Sequence, residues 1–210
     1  LGTIMKNKIL FSFLIVLASF CIHFYLMNMH YNFAYGLDPH QSICSINEKL
    51  NCESVSISPY AYFLGIPMAT WGMAFHLVFL LFFALWFMYG DRKETCERFM
   101  RLFSVLSVIT SAAMFVISVF LMKTYCIFCM TLYVLSLLNF LILWTKAKRP
   151  RFPRKEDLSF RPILAIIIVT PVLAWLAHDM NTRSAVQRTA AVTNDSITSW
   201  QNAPTETLES

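Results

Sequence analysis

Five stretches of this chain are apolar over lengths that matter for a bilayer. A hydrocarbon core of about 30 Å needs roughly 20 apolar residues wound as a helix. The runs Ile9–Met29, Trp71–Tyr89, Leu102–Met122, Cys126–Trp144 and Pro162–His178 reach or approach that length. The fifth is the shortest and contains Pro171, which removes a backbone donor and predicts a kink, yet Ile163–Val169 is too apolar to leave in water. Only Lys123, Thr124 and Tyr125 separate the third and fourth runs, so those helices form a tight antiparallel hairpin. A more polar outer loop, residues 31–70, joins the first two runs. After the fifth comes a tail, 179–210, rich in Thr, Ser and Asn with weak periodicity; it reads as extended or partly helical, with no recognisable domain. The pattern predicts an all-α integral membrane protein of five transmembrane helices, with one domain over residues 1–178.

Composition agrees. Of the 210 residues 57% are hydrophobic and 14% charged, against about 45–50% apolar and about 25% charged in a soluble domain. There is too little charge to cover a water-soluble surface of this size, which excludes an ordinary cytosolic enzyme. The net charge of +5 does not point to nucleic acid, because the basic residues sit in short clusters between the apolar runs. Lys and Arg are retained on the cytoplasmic side. With the N-terminus inside, the inner segments hold Lys6, Lys8, Arg92, Lys93, Arg98, Arg101 and the seven from Lys146 to Arg161, 13 of the 17 basic residues, and the outer segments only Lys49, Lys123, Arg183 and Arg188. Five spans then put the tail outside. Met5-Lys6-Asn7-Lys8 before an apolar run has the form of a signal peptide, but the run is longer than an h-region and no small-x-small site follows Cys21-Ile22-His23-Phe24-Tyr25, so it is read as a retained span.

The topology gives the six cysteines their meaning. Cys21 falls inside the first span and Cys96 in a cytoplasmic loop, where a small apolar or free thiol is the ordinary reading. Cys44, Cys52, Cys126 and Cys129 all fall at or near the outer surface, where disulfides persist. Cys126-Ile127-Phe128-Cys129 opens a helix, so both thiols share a face and the partial positive charge of the helix start favours a thiolate. Cys44 and Cys52 can be a static staple of the loop. The four together could also hold a structural zinc ion, but nothing else resembles a zinc ribbon, and the expectation is no metal. Two disulfide-capable pairs, one in a hydrophilic loop and one at a membrane lip, suggest an electron relay from a soluble partner to an acceptor dissolved in lipid, for which a quinone is the abundant candidate.

Three segments carry a resemblance. Asn51-Cys52-Glu53-Ser54-Val55-Ser56-Ile57-Ser58-Pro59-Tyr60, then Phe63-Leu64-Gly65-Ile66-Pro67, then Tyr125-Cys126-Ile127-Phe128-Cys129-Met130-Thr131-Leu132-Tyr133 resemble the vitamin K epoxide reductase family in its bacterial homologues, over about residues 9–178. The resemblance implies a four-helix bundle around a quinone (ubiquinone or menaquinone) with a peripheral fifth helix, in the bacterial inner membrane. It implies that Cys44 exchanges with a thioredoxin-like (DsbA-like) periplasmic protein, that Cys52 passes electrons to Cys126, and that Cys129 lies next to the quinone. Ser58 matches a residue that hydrogen-bonds a quinone oxygen, and Tyr133 an aromatic residue near the ring. A turn-capping Ser and an aromatic-belt Tyr are the ordinary alternatives. Pro59–Ala69 matches a short helix lying over the bundle as a lid. Bacterial members often continue into a tethered thioredoxin-like domain; none follows here before Ser210, so the partner acts in trans or belongs to a part of the protein missing from this chain.

The leading expectation is therefore a quinone-dependent thiol–disulfide oxidoreductase supporting disulfide bond formation. The DsbB type of oxidase places its CxxC in the first outer loop and a widely spaced pair in the second, the reverse of the order here. A membrane transport or assembly subunit with structural outer disulfides would need polar residues along a substrate path, and the spans offer His23, His76, Asn139 and scattered Ser and Thr, which read as satisfied polar side chains.

Overall fold

Helix α1, Gly2–Ala34, opens the chain in a computed structural model that describes residues 2–37, 44–88, 93–145 and 160–201. Part of the expected outer loop (38–43), Arg92, the basic stretch Lys146–Lys155 and the end of the tail (202–210) lie outside the described residues. After α1 come α2 (Cys52–Ser56), a 3₁₀ turn (Pro59–Ala61), strands β1 (Tyr62–Phe63) and β2 (Ile66–Pro67), α3 (Met68–Met88), α4 (Lys93–Val116) continued by a π-helical stretch (Ile117–Met122), α5 (Ile127–Trp144) and α6 (Phe160–Gln201).

Four stretches, Lys6–Ala34, Met68–Met88, Glu94–Met122 and Ile127–Trp144, are long and apolar enough to cross a membrane. Helix α1 packs on α3 and α5, and α4 packs on α3 and α5, which closes a ring of four; α6 lies outside it against α3, with lesser contacts to α1 and β2. The helices are turned as a lipid solvent demands. On α1 the exposed side chains include Leu10, Phe11, Leu14 and Leu17, while Ser12, Val16 and Ser19 are buried. Lipid is as apolar as leucine, so small and polar residues go inward, where they allow close approach and cross-helix hydrogen bonds. Ser12 Oγ donates to Asn139 Oδ1 on α5 at 2.5 Å, and the Ser107 and Ser136 hydroxyls join α4 to α5 at 2.6 Å.

The interior divides in two. At the end where α1 and α4 begin, a cluster rich in aromatic rings includes Phe79, Phe82, Phe83, Trp86, Phe99 and Phe103. At the opposite end the buried cluster contains Leu26, Met29 and Leu132 together with Cys44, Cys52 and Cys126.

Two elements differ from expectation. The segment 59–69 is not a helix: after one 3₁₀ turn it forms a hairpin pairing Tyr62 with Pro67 and Phe63 with Ile66. Leu64 and Gly65 form its two-residue turn with φ of 53° and 77°, the double positive-φ geometry that suits the twist of a tight hairpin. Trp71 Nε1 on α3 donates to the Phe63 carbonyl at 3.0 Å and holds the hairpin against the bundle. Helix α6 runs unbroken through Pro171 and absorbs most of the tail. From Val172 to Gln201 there is neither Gly nor Pro, the Thr189 and Thr193 hydroxyls bond back to carbonyls four residues earlier, and α6 docks on the end of α1. There Tyr31 Oη is hydrogen-bonded to His178 Nδ1 at 2.6 Å and the Thr189 hydroxyl to the Tyr35 carbonyl at 3.3 Å. Docking supports the helix as far as Thr189, and beyond it α6 continues exposed.

Candidate functional site

Asn47 starts the placement of the loop cysteines. Its side-chain oxygen accepts from the backbone N–H groups of Lys49 and Leu50, closing a turn that sends Leu50 alongside the α4–α5 connection. Leu50 and Tyr125 form a parallel β-bridge, with Tyr125 N–H donating to Lys49 O at 2.7 Å and Asn51 N–H to Tyr125 O at 3.0 Å. Asn51 then caps α2, its Oδ1 accepting from Ser54 N–H at 2.9 Å. Cys52 is therefore the first residue of α2, and Cys126 follows the bridged Tyr125 directly. On the other side, Lys123 adopts a left-handed φ of 54° and the Ser118 hydroxyl holds the Thr124 carbonyl at 2.9 Å, which turns the chain sharply into the bridge.

Cys44 and Cys52 are joined in a disulfide with a Cα–Cα separation of 5.7 Å. Cys126 and Cys129 are thiols. Cys44, Cys52 and Cys126 are 3%, 0% and 2% exposed, with Cys129 packed against the same cluster. The loop disulfide is thus covered rather than displayed to solvent. Cys126 caps α5: its sulfur accepts from the Cys129 N–H at 3.3 Å. Its thiol is held below the usual thiol range, first by the Cys129 thiol donating to it and then by the backbone N–H groups at the helix start, against the opposing effect of burial. The helix terminus acts on Cys126, and Cys129 lies one turn in.

Both thiols border a cavity of about 300 Å³ whose lining also includes Cys52, Ser58 and Tyr133. Five of the six residues singled out by sequence therefore meet at one space, and Cys44 sits behind it, bonded to Cys52. Ser58 Oγ donates to the Val55 carbonyl at 2.9 Å and lies 3.8 Å from Met122 Sδ, so its hydroxyl has a local partner. Tyr133 meets Phe115 edge-on at 6.1 Å between ring centroids. The segment from α2 through the β1–β2 hairpin, Cys52–Pro67, lines one end of the cavity as its cap and is fastened by His30, a residue the sequence did not single out. Its Nδ1–H donates to the Ser56 carbonyl at 2.9 Å, and Nε2 accepts from the Tyr62 hydroxyl at 3.2 Å. His23, His76, Ser107, Ser111 and Thr170 also line the cavity. Among the described residues the lining includes no Asp, Glu, Lys or Arg, and no three His, Cys, Asp or Glu converge as metal ligands.

Fold and site together define a helical multi-pass membrane protein with a dithiol and a disulfide set side by side at one end of its bundle. The Vitamin K epoxide reductase family matches residues 10–144, and the chain belongs to that family. It is accordingly a membrane oxidoreductase. The match runs from within α1 to the end of α5 and stops before α6, short of residue 178, to which the sequence motifs suggested it. No curated protein matches the chain.

Proposed function

We propose that this protein carries electrons from a reduced thioredoxin-like (DsbA-like) protein, through Cys44/Cys52 and then Cys126/Cys129, to a membrane quinone, and so supports disulfide bond formation outside the bacterial inner membrane. The observation that carries the reading is the Leu50–Tyr125 bridge, which sets a disulfide and a dithiol next to one another at an uncharged cavity. A partner thiolate attacks Cys44, forming a mixed disulfide and expelling Cys52 as a thiolate; a second partner thiol resolves it and leaves with the disulfide. Cys52 then attacks Cys126 in an oxidised Cys126–Cys129 pair, releasing Cys129. Cys44 re-forms its bond with Cys52 and releases Cys126, whose developing negative charge meets the Cys129 N–H and thiol. Two electrons have moved inward, and the pairs stand as they do in the structure.

The cavity fits a quinone in kind. A ring of this sort needs apolar walls with a few placed polar groups, and the lining supplies Phe75, Met114 and Leu132 with Ser58 and Tyr133. A bound quinone supplies a two-electron, two-proton acceptor. Cys129, one turn inside α5, would be the thiol facing it, Ser58 would donate to a ring oxygen in place of its bond to Val55, and Tyr133 would border the ring. The charge pattern supports an N-terminus in the cytoplasm, with α6 as a fifth span leading the C-terminus outside. The disulfide at Cys44 is covered, so exchange with a partner requires its segment to lift. The test is quinone reduction by the purified chain in bilayer discs with a reduced thioredoxin-like donor: absorbance loss that disappears in Cys129→Ala supports the reading, and equal rates in both rule it out.

A further inference from the structure

Two histidines stand in the wall of the cavity where the mechanism above has no use for them. His23 on α1 and His76 on α3 lie ring to ring, 4.6 Å between centroids and tilted by 30°. Each turns Nδ1 to the carbonyl four residues earlier on its own helix, His23 to Ser19 O and His76 to Gly72 O, both at 2.8 Å. A carbonyl can only accept, so Nδ1 carries the proton in both rings and Nε2 is left as a lone-pair acceptor. No hydrogen bond among the described residues engages either Nε2. With no carboxylate among the described residues of the cavity lining to pair with an imidazolium, the rings sit as neutral imidazoles.

The placement is specific. A Cβ added at Gly72 would overlap the His23 ring at Cδ2 and Nε2, so the glycine is what lets that imidazole lie across the α3 backbone beside His76, with Nε2 against Gly72 in the cavity wall. His76 is eight residues into α3, about 12 Å below the cap at 1.5 Å per residue. Ser58 and the cysteines mark the cap end of the same cavity, and the histidines its deeper part.

We propose that the His23–His76 pair is a hydrogen-bond acceptor site for a ring hydroxyl, so that the cavity holds the quinol form of its ligand more tightly than the quinone form. This rests on the quinone reading of the site and adds a preference to it. When Cys126 and Cys129 give two electrons and two protons and close their disulfide, a carbonyl acceptor becomes a hydroxyl donor. Acceptor nitrogens facing a carbonyl gain nothing, whereas facing a hydroxyl they gain a hydrogen bond. Tighter binding of the reduced form raises the reduction potential of the bound couple and draws electrons out of the thiols.

The test is binding, with chemistry blocked. The full chain carrying Cys126→Ser and Cys129→Ser, in lipid nanodiscs under nitrogen, is titrated with a short-chain naphthoquinone and separately with its naphthoquinol, by calorimetry. The quinol is expected to bind about tenfold tighter, the scale of one hydrogen bond. His23→Phe and His76→Phe should each remove most of that preference while leaving quinone affinity within about twofold. His76→Gln, which restores an acceptor oxygen and keeps the fold testable where Phe does not, should retain the preference. Equal affinities for the two forms in the parent chain, or Phe variants that weaken both forms alike, would overturn the acceptor site and leave the pair as packing. Binding of neither form would remove the quinone reading itself.

Discussion

Leu50 and Tyr125 are bridged backbone to backbone, and each stands just ahead of a cysteine from a different pair: Cys52 two residues after Leu50, Cys126 one residue after Tyr125. Disulfide exchange needs the attacking sulfur close to and in line with the bond it breaks, and orientation of this kind is a large part of any rate enhancement. The bridge spends only two hydrogen bonds, Tyr125 N–H to Lys49 O and Asn51 N–H to Tyr125 O.

Removing one of them should slow transfer between the pairs without preventing either from forming. Tyr125→Pro deletes the donor to Lys49 O. Rapid-quench alkylation after reducing the loop is expected to show electron arrival at Cys126 and Cys129 slowed about tenfold or more, the cost of one misplaced step in a positioned reaction. Unchanged arrival would mean that the bridge does not align the sulfurs.

The cysteines separate by role. Cys21→Ala and Cys96→Ala should leave quinone reduction near that of the parent protein, because Cys21 is exposed on α1 and Cys96 lies in the aromatic cluster at the other end of the bundle. Alanine at Cys44, Cys52, Cys126 or Cys129 should abolish turnover with a protein donor. A small membrane-permeant dithiol should restore part of the activity to Cys44→Ala and none to Cys129→Ala. Full activity of Cys44→Ala with the protein donor would remove it from the relay.

The order within the CxxC pair has a pH signature. Cys126 ionises below the usual thiol range because the Cys129 thiol and then the helix-start N–H groups stabilise its negative charge. Alkylation of the reduced protein should therefore attack Cys126 first, with a rate that rises with pH and reaches half its plateau below the ordinary thiol midpoint. Cys129→Ala removes the leading donor, so that midpoint should move up. A midpoint unmoved by the substitution would assign the effect to the helix terminus alone.

Much of this was legible in one sequence because its signals are local. Apolar runs of span length and an outer CxxC announce bilayer helices and a thiol site wherever they fall. What the sequence hid depends on contacts between distant segments. The tail read as extended or partly helical, and nothing local showed that Tyr31 and Tyr35 would dock 179–201 as continuous helix; Pro59–Ala69 was expected helical although Leu64-Gly65 is turn chemistry. The start of α5 was expected to favour a thiolate within the CxxC pair without saying which; the chain enters the helix extended, which leaves Cys126 as the cap. His23 and His76 read as ordinary polar residues of a span because no local pattern shows that Gly72 makes room for one ring beside the other.

Topology can be checked independently of chemistry. A reporter active only in the cytoplasm should be active when fused after Arg154 and inactive when fused after Arg188, since 13 of the 17 basic residues fall on the expected inner side. Reversed activities would invert the orientation, and with it the compartment of all four cysteines.

The cap offers the last discrimination, between a clasp and a ligand contact. His30 holds both flanks of Ser58, through the Ser56 carbonyl and the Tyr62 hydroxyl, and is itself buried. Tyr62→Phe leaves the His30 Nε2 without its donor, which costs about 1–3 kcal/mol when a buried acceptor goes unsatisfied. The cap should then open more often, read as faster proteolysis between Ile57 and Gly65 and as a lower Tm. Ser58→Ala removes only a hydroxyl that bonds the Val55 carbonyl within the same turn, so it should leave proteolysis and Tm nearly unchanged. If Ser58 also donates to the acceptor as negative charge develops there, the variant loses about 10²-fold in turnover, as for other positioned donors of that kind. Loss of turnover in Tyr62→Phe with cap opening, and in Ser58→Ala without it, would separate the two roles. Full turnover in Ser58→Ala would leave that hydroxyl as a turn cap and shift recognition of the ring to the deeper wall.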